Sequence, residues 1–206
     1  MGCVLGPLVL CAYAIDEREL PALKKIGVKD SKLVPPAKRT ALCAELLKQG
    51  EAIVVECSAI EITEWMRKGR SLNELEAKAI GEALSKMKGK STKTIVDSPD
   101  PIPSKFAGRI LKYYPGKEVI AENKADYNHV VVGAASIVAK TVREERIAEI
   151  KREMGEDFGS GYSHDETTIA YLKRNINNPA LQKYIRHSWE TAKRLKVTQV
   201  PLGDWV

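Results

Sequence analysis

Glu122-Asn123-Lys124-Ala125-Asp126-Tyr127-Asn128-His129, followed at once by the small-residue run from Val130 to Lys140, is the stretch on which the reading of this chain turns. Its isolated acid, Asp126, stands beside a lysine and just ahead of Gly133-Ala134-Ala135-Ser136, small residues that let a helix pack closely against a sheet. A carboxylate so placed can be held rigidly enough to bind a metal ion. A second acid, Asp97, ends the apolar run Thr94-Ile95-Val96, and the Ser98-Pro99-Asp100-Pro101 that follows cannot continue a strand. Together they suggest carboxylates gathered at the rim of a sheet. A third stretch, Gly159-Ser160-Gly161-Tyr162-Ser163-His164-Asp165, sets one aromatic in a glycine-loosened loop, where a tyrosine can stack on a sugar or a base.

Around these stretches, short apolar runs alternate with helical patterns, which indicates an α/β domain. Gly6 to Ile15 reads as a buried strand, Leu20 to Ile26 as a short helix, and Pro35-Pro36 opens a helix through about Lys48 that stops at Gly50. Ala52 to Cys57 is a second strand. Ser58 caps a helix ending before Gly69, and Ser71 caps another through Met87. Thr94 to Asp97 is a strand, Ser104 to Tyr113 a helix, and Glu118 to Glu122 a strand that delivers the chain to Asp126. The longest helix is expected from His129 to about Met154, buried in its first half and wet in its second. Asp165 begins another helix, Tyr184 to Leu195 forms a last one, and the tail with Pro201, Gly203 and Trp205 reads as a docking strand or a frayed end. A single domain over 1–206 is expected, with sheet and helices to about 158 and a helical C-terminal portion from about 159.

The balance of 44% hydrophobic and 29% charged residues excludes disorder, and 206 residues suffice for one sizeable core. A net charge of +6 suits a polyanionic partner, although a basic protein with no such partner has the same charge. Cys3, Cys11, Cys43 and Cys57 lack metal-site spacing and read as reduced packing residues. No segment has the length of a membrane span and the start lacks a secretory pattern, so a cytoplasmic protein is the expectation.

His129, His164 and His187 are too scattered for a zinc site, and neither a Ser-His-Asp order, a GxxxxGK nor a GxGxxG is present. The residues themselves leave two readings of each acid open. Asp97 can be a metal ligand or a turn acid favouring the Ser-Pro bend, and Asp126 a ligand or a helix-start cap. From pattern alone the structural reading of each is the stronger. Tyr162 likewise can be a surface anchor, and Lys140 and Arg143 can be solvated helix charges.

The signatures Gly2-Cys3-Val4-Leu5-Gly6-Pro7-Leu8-Val9, Val28-Lys29-Asp30-Ser31-Lys32-Leu33, Ser71-Leu72-Asn73-Glu74, Val96-Asp97-Ser98, Lys124-Ala125-Asp126, Ala134 to Lys140, Gly159 to Tyr162 and Arg186-His187-Ser188-Trp189 run nearly from end to end. Each is short, but in this order they resemble ribonuclease HII, the type 2 ribonuclease H family, in its archaeal form. The resemblance reverses the reading of the acids. It implies a ribonuclease H-like mixed sheet flanked by helices, with a helical C-terminal portion bearing Tyr162 and Trp189. It also implies endonucleolytic cleavage of the RNA strand of RNA/DNA hybrids, including single ribonucleotides in duplex DNA, by a monomer using Mg2+ or Mn2+.

By that resemblance Asp97 and Asp126 are catalytic metal ligands, and Tyr162 packs on the sugar at the ribonucleotide junction. Gly2, Lys32, Asn73, Lys140, Arg143, Arg186 and Ser188 match family positions at the substrate, where basic and amide groups position phosphates. The family opens with Asp-Glu-Ala-Gly-Arg-Gly, which supplies two of its four catalytic carboxylates. Gly2 matches the last glycine, and Met1 stands where the arginine is expected. The expectation is therefore a start upstream of Met1, with this chain alone nearly inactive. The alternatives are a hybrid-binding protein that does not cut and a subunit completed by a partner strand.

Overall fold

β-branched and apolar residues form strands where the pattern changes from period 3.6 to period 2, and serines or prolines open most of the helices that separate them. The computed structural model describes residues 2–28, 34–89 and 93–197. In chain order the elements are β1 (Leu8–Ala14), α1 (Leu20–Lys25), α2 (Pro36–Gln49), β2 (Glu51–Cys57), α3 (Ala59–Arg67), α4 (Leu72–Lys86), β3 (Thr94–Asp97) and α5 (Pro103–Leu111). There follow β4 (Val119–Glu122), α6 (Ala125–Asn128), α7 (Val130–Met154), α8 (Glu166–Asn175) and α9 (Glu190–Val197), with 3-10 turns at Glu17–Glu19 and Pro179–Tyr184.

The chain divides into two compact units, one built from the described residues within 9–56 and 71–142, the other from 2–8, 57–70 and 143–197. In the first unit, β1 pairs with β2 and β3 pairs with β4. The second ladder is parallel, with Thr94 opposite Val119 and Asp97 opposite Glu122. The expected α/β arrangement of strands flanked by helices is present, and among the described residues its strands form two small two-stranded ladders. Tyr13, Leu23, Val28, Cys43, Leu46, Ala134, Ile137 and Val138 form one core, in which the small first half of α7 lies against β1 and β2 residues. Ala77, Val96, Phe106 and Ile110 form another under β3. Gly81 allows α4 to approach the end of α5, since a Cβ there would come within 2.6 Å of the Tyr113 Cβ. The four cysteines are free, and burial pushes the Cys11 thiol up to about 12, which suits a packing role.

In the second unit the capping box of Ser58 and Glu61 opens α3, and Asp165 caps α8. The core is Val4, Leu5, Ile147, Ile150, Phe158, Tyr171, Leu172, Ile176, Leu181, Ile185 and Ala192. Two expectations are corrected here. The second half of α7 is not simply wet: Ile147 and Ile150 are buried, with charged residues on the other faces, so it is amphipathic. The last helix does not run from Tyr184, because the backbone there is engaged elsewhere. Gly6 donates to the Tyr184 carbonyl at 2.9 Å and Arg186 to the Val4 carbonyl at 2.9 Å, so a bridge between Leu5 and Ile185 replaces the first helical turns. The helix begins only at Glu190. The expectation for the tail falls on 198–206, outside the described residues.

Candidate active site

In β3 the side chains alternate, Thr94 and Val96 buried and Asp97 exposed, so the strand delivers a carboxylate to solvent at its end. The ladder continues one residue further, with the Ser98 amide donating to the Glu122 carbonyl at 2.8 Å. Beyond β4 the chain turns at Lys124, which has φ 59 and ψ 36 and is the one non-glycine residue with positive φ among the described residues. This left-handed turn starts the one-turn helix α6, which carries Asp126 at 8% exposure. The Ala125 N–H donates to Asp97 Oδ1 at 3.0 Å. The carboxylate of one acid is thereby fixed at the residue preceding the other.

A shell of amides and charges surrounds this rim. Asn123 Nδ2 donates to the carbonyls of Ser98 at 3.0 Å and Asp100 at 2.8 Å. Asp100 is buried, ion-paired with Arg109 of α5, and accepts from Asn73 Nδ2 of α4 at 2.8 Å. His129 Nε2 and Glu122 Oε2 lie 2.8 Å apart, and the hydrogen bond with His129 is the main influence holding the Glu122 carboxyl below the usual range. Of the site residues read from sequence, Asp97 and Asp126 are thus brought together. Asn73 bonds Asp100, Lys140 is half-buried on α7, and Lys32 lies outside the described residues. The sequence reading gave no role to Asn123, Asp100 or Tyr127. Tyr127, at 72% exposure, is an aromatic beside an acid in a basic protein, a signal that was visible. Asn123 and Asp100 act on partners far away in the chain and carried no local signal.

Hard, oxygen-only ligands suit Mg2+ or Mn2+, and Asp97 and Asp126 are such a pair. An ion held by this pair would complete its shell with water. No group of three or more His, Cys, Asp or Glu residues able to hold a metal occurs among the described residues.

The second unit holds the tyrosine loop. Gly159 and Gly161 have φ of +76 and +79, and a Cβ on Gly159 would come within 2.5 Å of Asp165 Oδ2. Asp165 is the clasp: its Oδ2 accepts from the Ser160 amide at 2.6 Å and the Ser160 hydroxyl at 2.5 Å, and its Oδ1 accepts from the Thr167 amide at 3.0 Å. These bonds, those of Ser160 foremost, hold its carboxyl well below the usual carboxylate range. The Arg143 guanidinium lies 4.5 Å from the centre of the Tyr162 ring and donates to the Ser160 carbonyl at 2.8 Å. The His164 ring is 5.3 Å from the Tyr162 ring, and burial raises the Tyr162 phenol.

The opening residues are threaded beside this loop. Val4 and Leu5 both donate to the Gly161 carbonyl, at 2.8 and 3.1 Å, and Cys3 bridges Tyr162. A Cβ on Gly2 would stand 3.2 Å from the Trp189 Nε1. Arg186, at 3% exposure, donates from Nε to the Gly6 carbonyl at 3.0 Å, with its guanidinium over Trp189 at 5.1 Å. Ser188 donates to the Met66 sulfur at 3.2 Å. Gly2, Arg143, Tyr162 and Arg186 are therefore neighbours within one unit.

Comparison with known proteins gives this geometry a family. The family profile described as Ribonuclease HII matches residues 1–192. The Ribonuclease HII of Caldivirga maquilingensis is 41% identical over 197 residues, which is 94% of this chain and 90% of that protein. The solved PCNA:RNase HII complex from Archaeoglobus fulgidus contains a chain 35% identical, with a TM-score of 0.84 and coverage of 99% and 95%. Bst-RNase HIII in complex with Mn2+ shares the fold at a TM-score of 0.81 and 19% identity, covering 96% of this chain and 67% of that one. The fold and the near-complete coverage agree, and the chain belongs to the ribonuclease HII family of metal-dependent endoribonucleases that act on RNA/DNA hybrids.

Proposed function

We propose that this chain cleaves both the RNA strand of RNA/DNA hybrids and single ribonucleotides in duplex DNA, with Mg2+ or Mn2+ held by Asp97 and Asp126. The observation that carries this is the 3.0 Å bond from the Ala125 amide to Asp97, which ties the end of β3 to the helix bearing Asp126. When bound, the divalent ion supplies the charge neutralisation that hydrolysis of a phosphodiester requires. Asp97 and Asp126 offer the oxygens that orient it. The Tyr162 ring, set by Arg143 and the Ser160–Asp165 clasp, packs on the sugar at the junction from ribose to deoxyribose. Gly2, Lys32, Asn73, Lys140, Arg143, Arg186 and Ser188 position the substrate backbone. We place this work in the cytoplasm and assign it to a monomer; no helix among the described residues is long and apolar enough to cross a membrane.

The test is cleavage of two duplexes, a continuous hybrid and one with a single ribonucleotide, in Mg2+ and in Mn2+. Cleavage on the 5′ side of the ribonucleotide by the unaltered chain, lost in Asp126→Asn, is expected. Equal cleavage by Asp126→Asn sinks the reading.

The Archaeoglobus fulgidus relative was solved with PCNA. We extend that partnership to this chain, and the C-terminal sequence from Gln199 to Val206, with Leu202 and Trp205 as its large apolar residues, is the segment to delete in a binding assay.

A further inference from the structure

We propose that Asn123 is a positioning residue that sets the relation of the two acids, an inference that rests on reading Asp97 and Asp126 as metal ligands. Asp97 sits at the end of a strand and is placed by its ladder. Asp126 lies instead on α6, which is only four residues long, and a single turn does not hold itself, so its placement depends on what anchors the turn before it. That turn passes through Lys124 in the left-handed region, which costs a non-glycine residue about 1–2 kcal/mol. Two anchors flank Lys124, namely the Ala125 amide on Asp97 and the Asn123 side chain on the carbonyls of Ser98 and Asp100.

The Asn123 amide is suited to this task. It has two N–H groups, and the two carbonyls take both. Those carbonyls belong to the turn that follows Asp97, where Pro99 and Pro101 have no amide to continue a ladder. Asn123 therefore supplies donors that the local backbone cannot, and in doing so it ties the loop leading to Asp126 onto the loop leaving Asp97. Alanine at this position removes both ties to the loop after Asp97, leaving the Ala125–Asp97 bond and the His129–Glu122 bond across the turn. Asn123→Asp keeps the shape and presents an acceptor where two carbonyls need donors.

The experiment is direct titration of the full chain with Mn2+, following the free ion by electron paramagnetic resonance, together with hybrid binding measured in EDTA. Loss of a partner one layer outside a metal's ligands typically weakens binding by about 10–100-fold, so Asn123→Ala is expected to weaken Mn2+ by about tenfold or more, and Asn123→Asp by at least as much. Hybrid affinity in EDTA stays at its original value in both. Asn123→Ala binding Mn2+ as the unaltered protein does, while Asp126→Asn loses it, overturns this inference and leaves the acid pair standing. Unchanged Mn2+ binding by Asp126→Asn overturns both. Parallel loss of Mn2+ and hybrid affinity in Asn123→Ala also overturns it, since that pattern marks a general structural role.

Discussion

The loop that carries Asp126 and the loop that carries Tyr162 each present one side chain, and they differ in how much of their support is local. The tyrosine loop has a clasp of its own: Asp165 grips Ser160, five residues away, and two glycines take up the positive φ angles, while Val4 and Leu5 add bonds to Gly161 from the start of the chain. The acid loop is held across the chain. Asn123 reaches back 25 and 23 residues to Ser98 and Asp100, Asp97 reaches forward 28 to Ala125, and the positive φ falls on a lysine. A loop with a local clasp keeps that part of its shape when surroundings shift, whereas one without such a clasp holds its acid only while the ladder beneath it is intact. The first arrangement suits a ring that must meet a sugar, and the second suits two carboxylates whose separation matters.

The sharpest way to break the comparison is at the acids. Asp97→Asn and Asp126→Asn remove charge that the ion needs, an effect worth several kcal/mol at the transition state. At a factor of ten per 1.36 kcal/mol, cleavage should fall by about a thousandfold in either variant. Hybrid binding in EDTA should be unaffected, because these side chains meet the ion and not the phosphates. Initial rates and filter binding on the same preparations check both halves.

Tyr162→Ala should have the next largest effect, and of a different kind. An aromatic stacked on a nucleotide contributes about 1–3 kcal/mol, so cleavage at a single ribonucleotide should drop by about 10–100-fold. Mn2+ affinity should be unaltered, which separates this loop from the acid loop. Tyr162→Phe should retain most of the activity. If the alanine variant cleaves the single-ribonucleotide duplex at the original rate, the ring is only an anchor.

Asp165→Ala tests whether the tyrosine loop depends on its local clasp. Loss of the cap on α8 alone costs about 0.5–2 kcal/mol, read as a lower melting temperature at pH 7. The sign with pH follows from the depressed carboxyl. Its stabilising contribution is fully present above the unfolded value, near 3.9, and is lost as pH falls from there toward the lower folded value. The gap in melting temperature between the two proteins should therefore narrow between about pH 5 and pH 3. A gap that stays constant would place the effect in packing.

How much of this the sequence could tell follows the same division between local and distant. β3 appears over Thr94–Asp97 as read, and Ser58, Ser71 and Asp165 cap helices as read, because a cap is settled within three residues. The glycine loop with Tyr162 was visible for the same reason. The helix expected from Tyr184 failed because Val4 and Gly6, about 180 residues earlier, take its backbone groups. The engagement of Asn73 with Asp100, 27 residues away, could not be inferred from its neighbours. The role of Asn123 has no local signature, since its partners lie in the turn after β3, 23 and 25 residues earlier.

The smallest effect is expected at Lys124, and it bears on the comparison most directly. If the acid loop is held by its anchors, the lysine merely tolerates its left-handed conformation, and glycine should relieve the strain of about 1–2 kcal/mol. Glycine also frees the unfolded chain, at a cost of roughly 0.5–1 kcal/mol. The two terms oppose, so Lys124→Gly should change stability by less than about 1 kcal/mol, with Mn2+ affinity unaltered because Asn123 and Ala125 still fix the turn. A clear loss of Mn2+ affinity would mean that the lysine side chain itself holds the turn. The acid loop would then depend on local structure after all, as the tyrosine loop does.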